Sequence, residues 1–158
     1  MKPADLIATS KRLVGVSGRN KPRQSDLKRA VSSAYYALFH ALCWTCADSF
    51  VGGTGADRSN PAWRQVYRAV DHGFARSQFK NSKVMVRFPQ AIQDFGNLFV
   101  DLQAERHSAD YDPHHRSNRS DVLAFIATAE SALGALKATA LRDRRALAAW
   151  VMLKDRAG

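Results

Sequence analysis

Acidic residues are scarce: 14 aspartates and glutamates stand against 24 lysines and arginines, for a formal net charge of +10 and a pI near 10.1. That imbalance favours acidic partners, RNA or DNA first, with an acidic protein or anionic surface behind them. No arginine–serine, arginine–glycine or polylysine tract occurs, so the charge belongs to a folded surface and not to a disordered arm. Cysteine is nearly absent. The two present, Cys43 and Cys46, exclude a disulfide framework and, within one chain, a four-cysteine zinc site. Their Cys-Trp-Thr-Cys spacing lies inside a long helical pattern and not after a strand, so it reads as structural thiols rather than a redox pair. No signal-peptide run opens the chain and no window approaches a membrane span, which sets the expectation of a cytoplasmic protein with no membrane contact. Gly52, Gly53 and Gly55 are not followed by Gly-Lys-Ser/Thr, which excludes a phosphate-cradling loop.

Strand-like alternation is also missing, and apolar residues recur instead at intervals of three and four. A first helix is expected over about 3–16, then a basic breaker segment over 18–24. Ser25 or Asp26 is expected to cap a long helix running to about residue 49, with Leu27, Val31, Tyr35, Leu38 and Leu42 on its apolar stripe. Alanines and serines between them let another helix approach closely. A glycine-rich loop over 51–60 precedes Asn60-Pro61, where a third helix starts and runs through Trp63, Tyr67, Val70 and Phe74. Phe88-Pro89 opens a fourth, ending near His107, and Ser117 or Ser120 caps a last one. The charged run 142–145 is expected to break it, leaving a short tail helix over 146–155. The economical solution is all-α: one domain over 1–158, an antiparallel helical bundle of four to five main helices.

The densest chemistry lies between Arg106 and His115, where an arginine, three of the five histidines, a tyrosine and two aspartates fall within ten residues. Arg106 suits bidentate contact with a phosphate, or an ion pair with Asp110 or Asp112. His107 reads either as a general acid or base or as a surface histidine beside an arginine. Asp110 and Asp112 flank Tyr111 just before Pro113, a composition that suits a hydrogen-bonded turn. Tyr111 either packs inward or stacks on a base. His114 and His115 match no standard zinc spacing, so no metal or other cofactor is expected. On the second helix Arg29, Ser33, Tyr36 and His40 share a face by their 4-3-4 spacing. Arg23, Lys28, Arg29 and His40 are therefore the candidate nucleic-acid contacts.

Two blocks carry a family resemblance. The segment Leu27-Lys28-Arg29-Ala30-Val31-Ser32-Ser33-Ala34-Tyr35-Tyr36-Ala37-Leu38-Phe39-His40 resembles the second-helix signature of the HEPN superfamily (higher eukaryote and prokaryote nucleotide-binding domain). The segment Leu102-Gln103-Ala104-Glu105-Arg106-His107-Ser108-Ala109-Asp110-Tyr111-Asp112-Pro113 resembles the later block of one small bacterial HEPN branch. The resemblance implies a helical homodimer whose two copies form one composite cleft, and a metal-independent endoribonuclease of a toxin or defence type. Arg106 then matches the family's arginine and His107 its polar follower. The family's histidine follows the arginine after four to six residues, whereas His114 follows Arg106 after seven. Tyr111 falls inside the expected interval, but a tyrosine hydroxyl is a poor base at neutral pH. The implied catalytic set is Arg106, His107, Tyr111 and His114. The displaced histidine leaves a second expectation open: a non-catalytic partner of a separately encoded nucleotidyltransferase, in a toxin–antitoxin-like pair.

Overall fold

The computed structural model describes residues 1–15 and 21–156. Among the described residues every regular element is helical: α1 (Pro3–Val14), α2 (Gln24–Val51), α3 (Asn60–Ala69), α4 (His72–Phe79), α5 (Ser82–Met85), α6 (Gln90–Tyr111), α7 (Arg119–Ala138) and α8 (Leu141–Met152). The fold is an all-α bundle, but with eight helices among the described residues where four to five were expected. The difference comes from a third helix split by a cap and from a one-turn helix between α4 and α6.

The expected third helix is two. Val70 and Asp71 are extended, and the Asp71 carboxylate accepts a hydrogen bond from the Phe74 N–H at 2.7 Å, starting α4 afresh. The i,i+4 spacing of Val70 and Phe74 had suggested one continuous stripe. The one-turn α5 forms in what reads as a loop. The break before α8 falls at Thr139 and Ala140, both extended, so Arg142 to Arg145 lie inside a helix and do not end one. Asp143 sits in the first turn of α8, where its charge suits the positive end of the helix dipole.

Three boundaries also move. The α2 helix begins at Gln24, with the Asp26 carboxylate reaching back to the Arg23 N–H at 3.4 Å, in place of a cap by Ser25 or Asp26. Asn118, not Ser117 or Ser120, caps α7 by accepting from the Asp121 N–H at 2.8 Å. The α6 helix continues through Asp110 and Tyr111, and the turn starts only at Asp112, whose extended backbone is what a residue before proline prefers. At the other end of the chain α1 stops at Val14 with Gly15 in the left-handed region (φ 66°). The end expected at residue 16, and part of the breaker segment, lie outside the described residues.

The long helices α1, α2, α6 and α7 make the frame. Ser10, late in α1, donates to the Ala30 carbonyl, early in α2, at 2.8 Å, so these two run antiparallel. Gln24 at the start of α2 both donates to the Ser117 carbonyl (2.7 Å) and accepts from its N–H (3.0 Å), tying the entry of α2 to that of α7. The α2 helix is the central strut. Its buried Ala30, Ala34 and Ala37 let neighbours approach, while Tyr35, Leu38 and Leu42 share one core with Phe95, Phe99 and Leu102 of α6 and Ile126 of α7, Tyr35 meeting Phe99 at 5.3 Å between ring centres. Each such leucine or phenylalanine contributes about 1.5–3 kcal/mol through burial. Cys43 and Cys46 are buried free thiols; burial pushes Cys43 up to about 12 and raises Cys46 further, which leaves both inert. Among the described residues no single helix is long and apolar enough to cross a membrane; α7 and α8 together have that composition but meet at a bend of 114°.

Candidate functional site

Where α6 crosses α2, Arg106 turns inward. Its guanidinium carbon lies 5.0 Å from the Tyr36 ring centre and 5.5 Å from that of Tyr35, over two aromatic faces. Asp110, one turn on, brings a carboxylate oxygen to 3.3 Å from Arg106 Nε, but without hydrogen-bond alignment, and Nε is buried with no partner. The other Asp110 oxygen accepts from the Ser32 hydroxyl at 3.1 Å, so this carboxylate links α6 to α2.

The start of α4 supplies an imidazole to the same place. His72 Nδ1 and the buried Tyr35 hydroxyl share a hydrogen bond of 2.6 Å, and the His72 ring stacks on Phe39 with centroids 3.5 Å apart and an interplanar angle of 14°. Tyr36 meets the His72 ring edge-on at 6.0 Å. Burial, and then the positive charge of Arg106, hold His72 below its ordinary value; Asp71 opposes them in part. Burial raises Tyr35 well above the ordinary tyrosine range, so its hydroxyl keeps its proton. The result is a neutral imidazole with one nitrogen fixed by a tyrosine and an arginine beside it.

The row continues along α2. His40 lies 6.4 Å from Tyr36 and bonds through Nδ1 to the Tyr67 hydroxyl of α3. Burial lowers His40 and lifts Tyr67 to about 12. Tyr67 in turn stacks on Trp63 at 5.2 Å, and Trp63 Nε1 donates to Asp48 at 2.8 Å. Four cavities of about 430–620 Å³ are lined by other residues, while Arg106, Tyr36, His40 and His72 are each half-buried.

The sequence-expected residues separate. Arg106, Tyr36 and His40 belong to the row. His107 and Tyr111 lie exposed on α6, their rings 4.9 Å apart, facing each other and not the core. His114 is exposed in the turn, where its backbone N–H donates to the Asp112 carboxylate at 2.9 Å. His115 folds back to Glu105 at 3.4 Å. Arg29 is exposed and Ser33 half-buried on the face that Tyr36 and His40 continue. Arg23 and Lys28 lie in the first turns of α2 or just before it, at the end where Lys21, Arg116 and Arg119 border a cavity of about 520 Å³. His72 is the functional candidate that sequence reasoning missed. It stands alone between two apolar stretches, and the one local signal is Asp71, a capping residue immediately before it. Among the described residues no group of three or more His, Cys, Asp or Glu is placed to hold a metal ion. Comparison with family models, curated proteins and solved structures returns no match.

Proposed function

We propose that this chain is a HEPN-like, RNA-associated protein that acts as a homodimer in a reducing cytoplasm, with Arg106 as its phosphate-binding group and a metal-independent endoribonuclease activity. One observation carries the reading: a half-buried guanidinium held over two tyrosines, with Asp110 3.3 Å from its Nε, stands beside an imidazole that its surroundings keep neutral. Arginine binds and neutralises a phosphodiester, while a neutral imidazole is the form that accepts a proton. In the ribonuclease step the 2′-proton passes to His72 Nε2 as the ribose 2′-oxygen attacks phosphorus; the bond to the 5′-oxygen breaks, leaving a 2′,3′-cyclic phosphate, and the departing 5′-oxygen takes a proton from water. This requires the tautomer in which His72 Nδ1–H donates to the Tyr35 oxygen. Arg106 offsets the charge gathering on the phosphate oxygens. A net charge of +10 draws RNA to the surface, and the open cluster suits a cleft completed by a second copy.

The test is incubation of purified protein with mixed RNAs in EDTA, beside Arg106→Ala, His72→Ala and His114→Ala. The reading expects cleavage that both of the first two variants lose. Cleavage retained without Arg106, or no cleavage above background, overturns the enzyme claim.

A second reading rests on a separate feature. Arg106 already has Asp110 and two aromatic faces as partners, which is what a structural arginine needs. The chain would then be the non-catalytic helical partner of a separately encoded nucleotidyltransferase or antitoxin. Co-purification of such a partner from the native cell, with no RNA cleavage by either protein alone, supports it.

A further inference from the structure

A cavity of about 620 Å³ lies away from the Arg106 cluster, between α1, α2, α7 and the start of α8. Its size is that of a small-molecule site. The walls are apolar: Ile7 of α1, Trp44 of α2, Leu133 and Leu136 of α7, and Leu141 of α8. Its charged lining is of both signs, but the acids are already committed. Glu130 takes Lys11 at 2.7 Å, while Asp48 accepts from Trp63 Nε1 at 2.8 Å and pairs with Arg58 at 3.4 Å. Lys2, Lys137 and Arg144, which also line it, have no ion-pair partner among the described residues. Two nitrogen donors in the wall, Trp44 Nε1 and Arg144 Nε, are buried and make no hydrogen bond. Such unpaired donors are costly, and they mark this side of the lining as short of acceptors.

We propose that this cavity binds a small amphipathic organic anion, its apolar body between α1 and α7 and its carboxylate or similar head among Lys2, Lys137 and Arg144. Apolar walls supply affinity and the three unpaired cations select an acid over a neutral molecule of the same shape. The site is independent of the RNA reading and survives or fails without it.

Gly134 gives a clean way to close the cavity. It lines the space, and a Cβ there meets nothing within 4 Å, so Gly134→Leu starts a bulky side chain at the cavity wall without a clash at its first carbon. The probe is decanoate, titrated calorimetrically into the full chain, with decanol as the uncharged control. The expected result is saturable binding of one decanoate per chain and far weaker binding of decanol. Gly134→Leu should abolish binding, and Lys137→Glu should weaken it about fivefold or more, since Lys137 is an exposed charge. Melting curves of both variants should match the parent or exceed it. Absence of saturable binding, equal binding of decanol, or full binding by Gly134→Leu overturns the proposal. Sedimentation with phosphatidylglycerol vesicles separates the two sources of such a head group. Because a chain of net charge +10 meets anionic vesicles by charge alone, parent and Gly134→Leu are compared: equal pelleting supports a free acid, and pelleting that Gly134→Leu loses assigns the surface to a bilayer and overturns the site as stated.

Discussion

Acid should loosen this protein through its two half-buried imidazoles, and His72 provides the sharper test. An unfolded histidine titrates near its ordinary value of 6.5, whereas burial and the Arg106 charge hold folded His72 lower. Between those two values the unfolded chain binds more protons than the folded one, so stability rises with pH across that window. The contribution of His72 is therefore complete above about pH 6.5, falls as pH drops toward the folded value, and is constant below it. One such group imposes a slope of at most about 1.4 kcal/mol per pH unit, and solvent screening of a half-buried ring keeps it under that ceiling. His40, lowered by burial, adds a second contribution of the same sign. Global repulsion in a chain of net charge +10 also grows in acid, so the informative quantity is a difference in slope between variants. His72→Asn removes the titrating group while leaving an amide oxygen near the Tyr35 hydroxyl. Denaturant unfolding across about pH 8 to about pH 5 should give a shallower acid decline for His72→Asn than for the parent. Arg106→Ala should do the same more weakly, because His72 loses one of its three depressing influences, while burial and His40 remain. Equal slopes in parent and His72→Asn would refute the placement of His72 beside Arg106 and Tyr35.

Two glycines in long helices make an internal comparison. Both gain about 1 kcal/mol of helix propensity on becoming alanine. At Gly134 the new methyl meets open space, so Gly134→Ala should raise the melting temperature. At Gly96 a Cβ falls 2.6 Å from Phe79 Cδ1 and 3.3 Å from Met85 Cε, so overpacking of about 1–3 kcal/mol should cancel the gain or exceed it. Matched stabilisation at the two sites would contradict the close approach of α4 to α6. Cys43 and Cys46 should resist a thiol-specific reagent in the native state and react at once in denaturant, since burial keeps both protonated; fast native labelling would contradict the α2 core.

What the sequence disclosed follows physical range. The stripe of α2 from Leu27 to Leu42 has a helical period over many turns and is buried as expected. Both cysteines, expected as buried or half-buried structural thiols within the long helical pattern, are buried. Capping is decided by one side chain reaching one N–H, so near-equivalent residues such as Ser117, Asn118 and Ser120 could not be ranked. The broken third helix is the same problem, because Asp71 caps α4 across an unbroken apolar spacing. Arg106 was legible as a candidate through its company, but its direction was not. Neighbours on a helix diverge by about 100°, and this sends Arg106 to the α2 aromatics and His107 outward to Tyr111. His72 was out of reach, since only tertiary packing brings the start of α4 to Tyr35, more than thirty residues earlier in the chain.

The claim that Arg106 is a phosphate-binding group is tested most directly by equilibrium binding of a short single-stranded RNA, read by fluorescence anisotropy over a range of salt. The parent should bind with an affinity that falls steeply with salt. Arg106→Ala should bind about tenfold more weakly or worse, with a salt slope reduced by about 0.7, while melting within a few degrees of the parent. Binding by the folded variant with unchanged affinity and salt slope would contradict the claim.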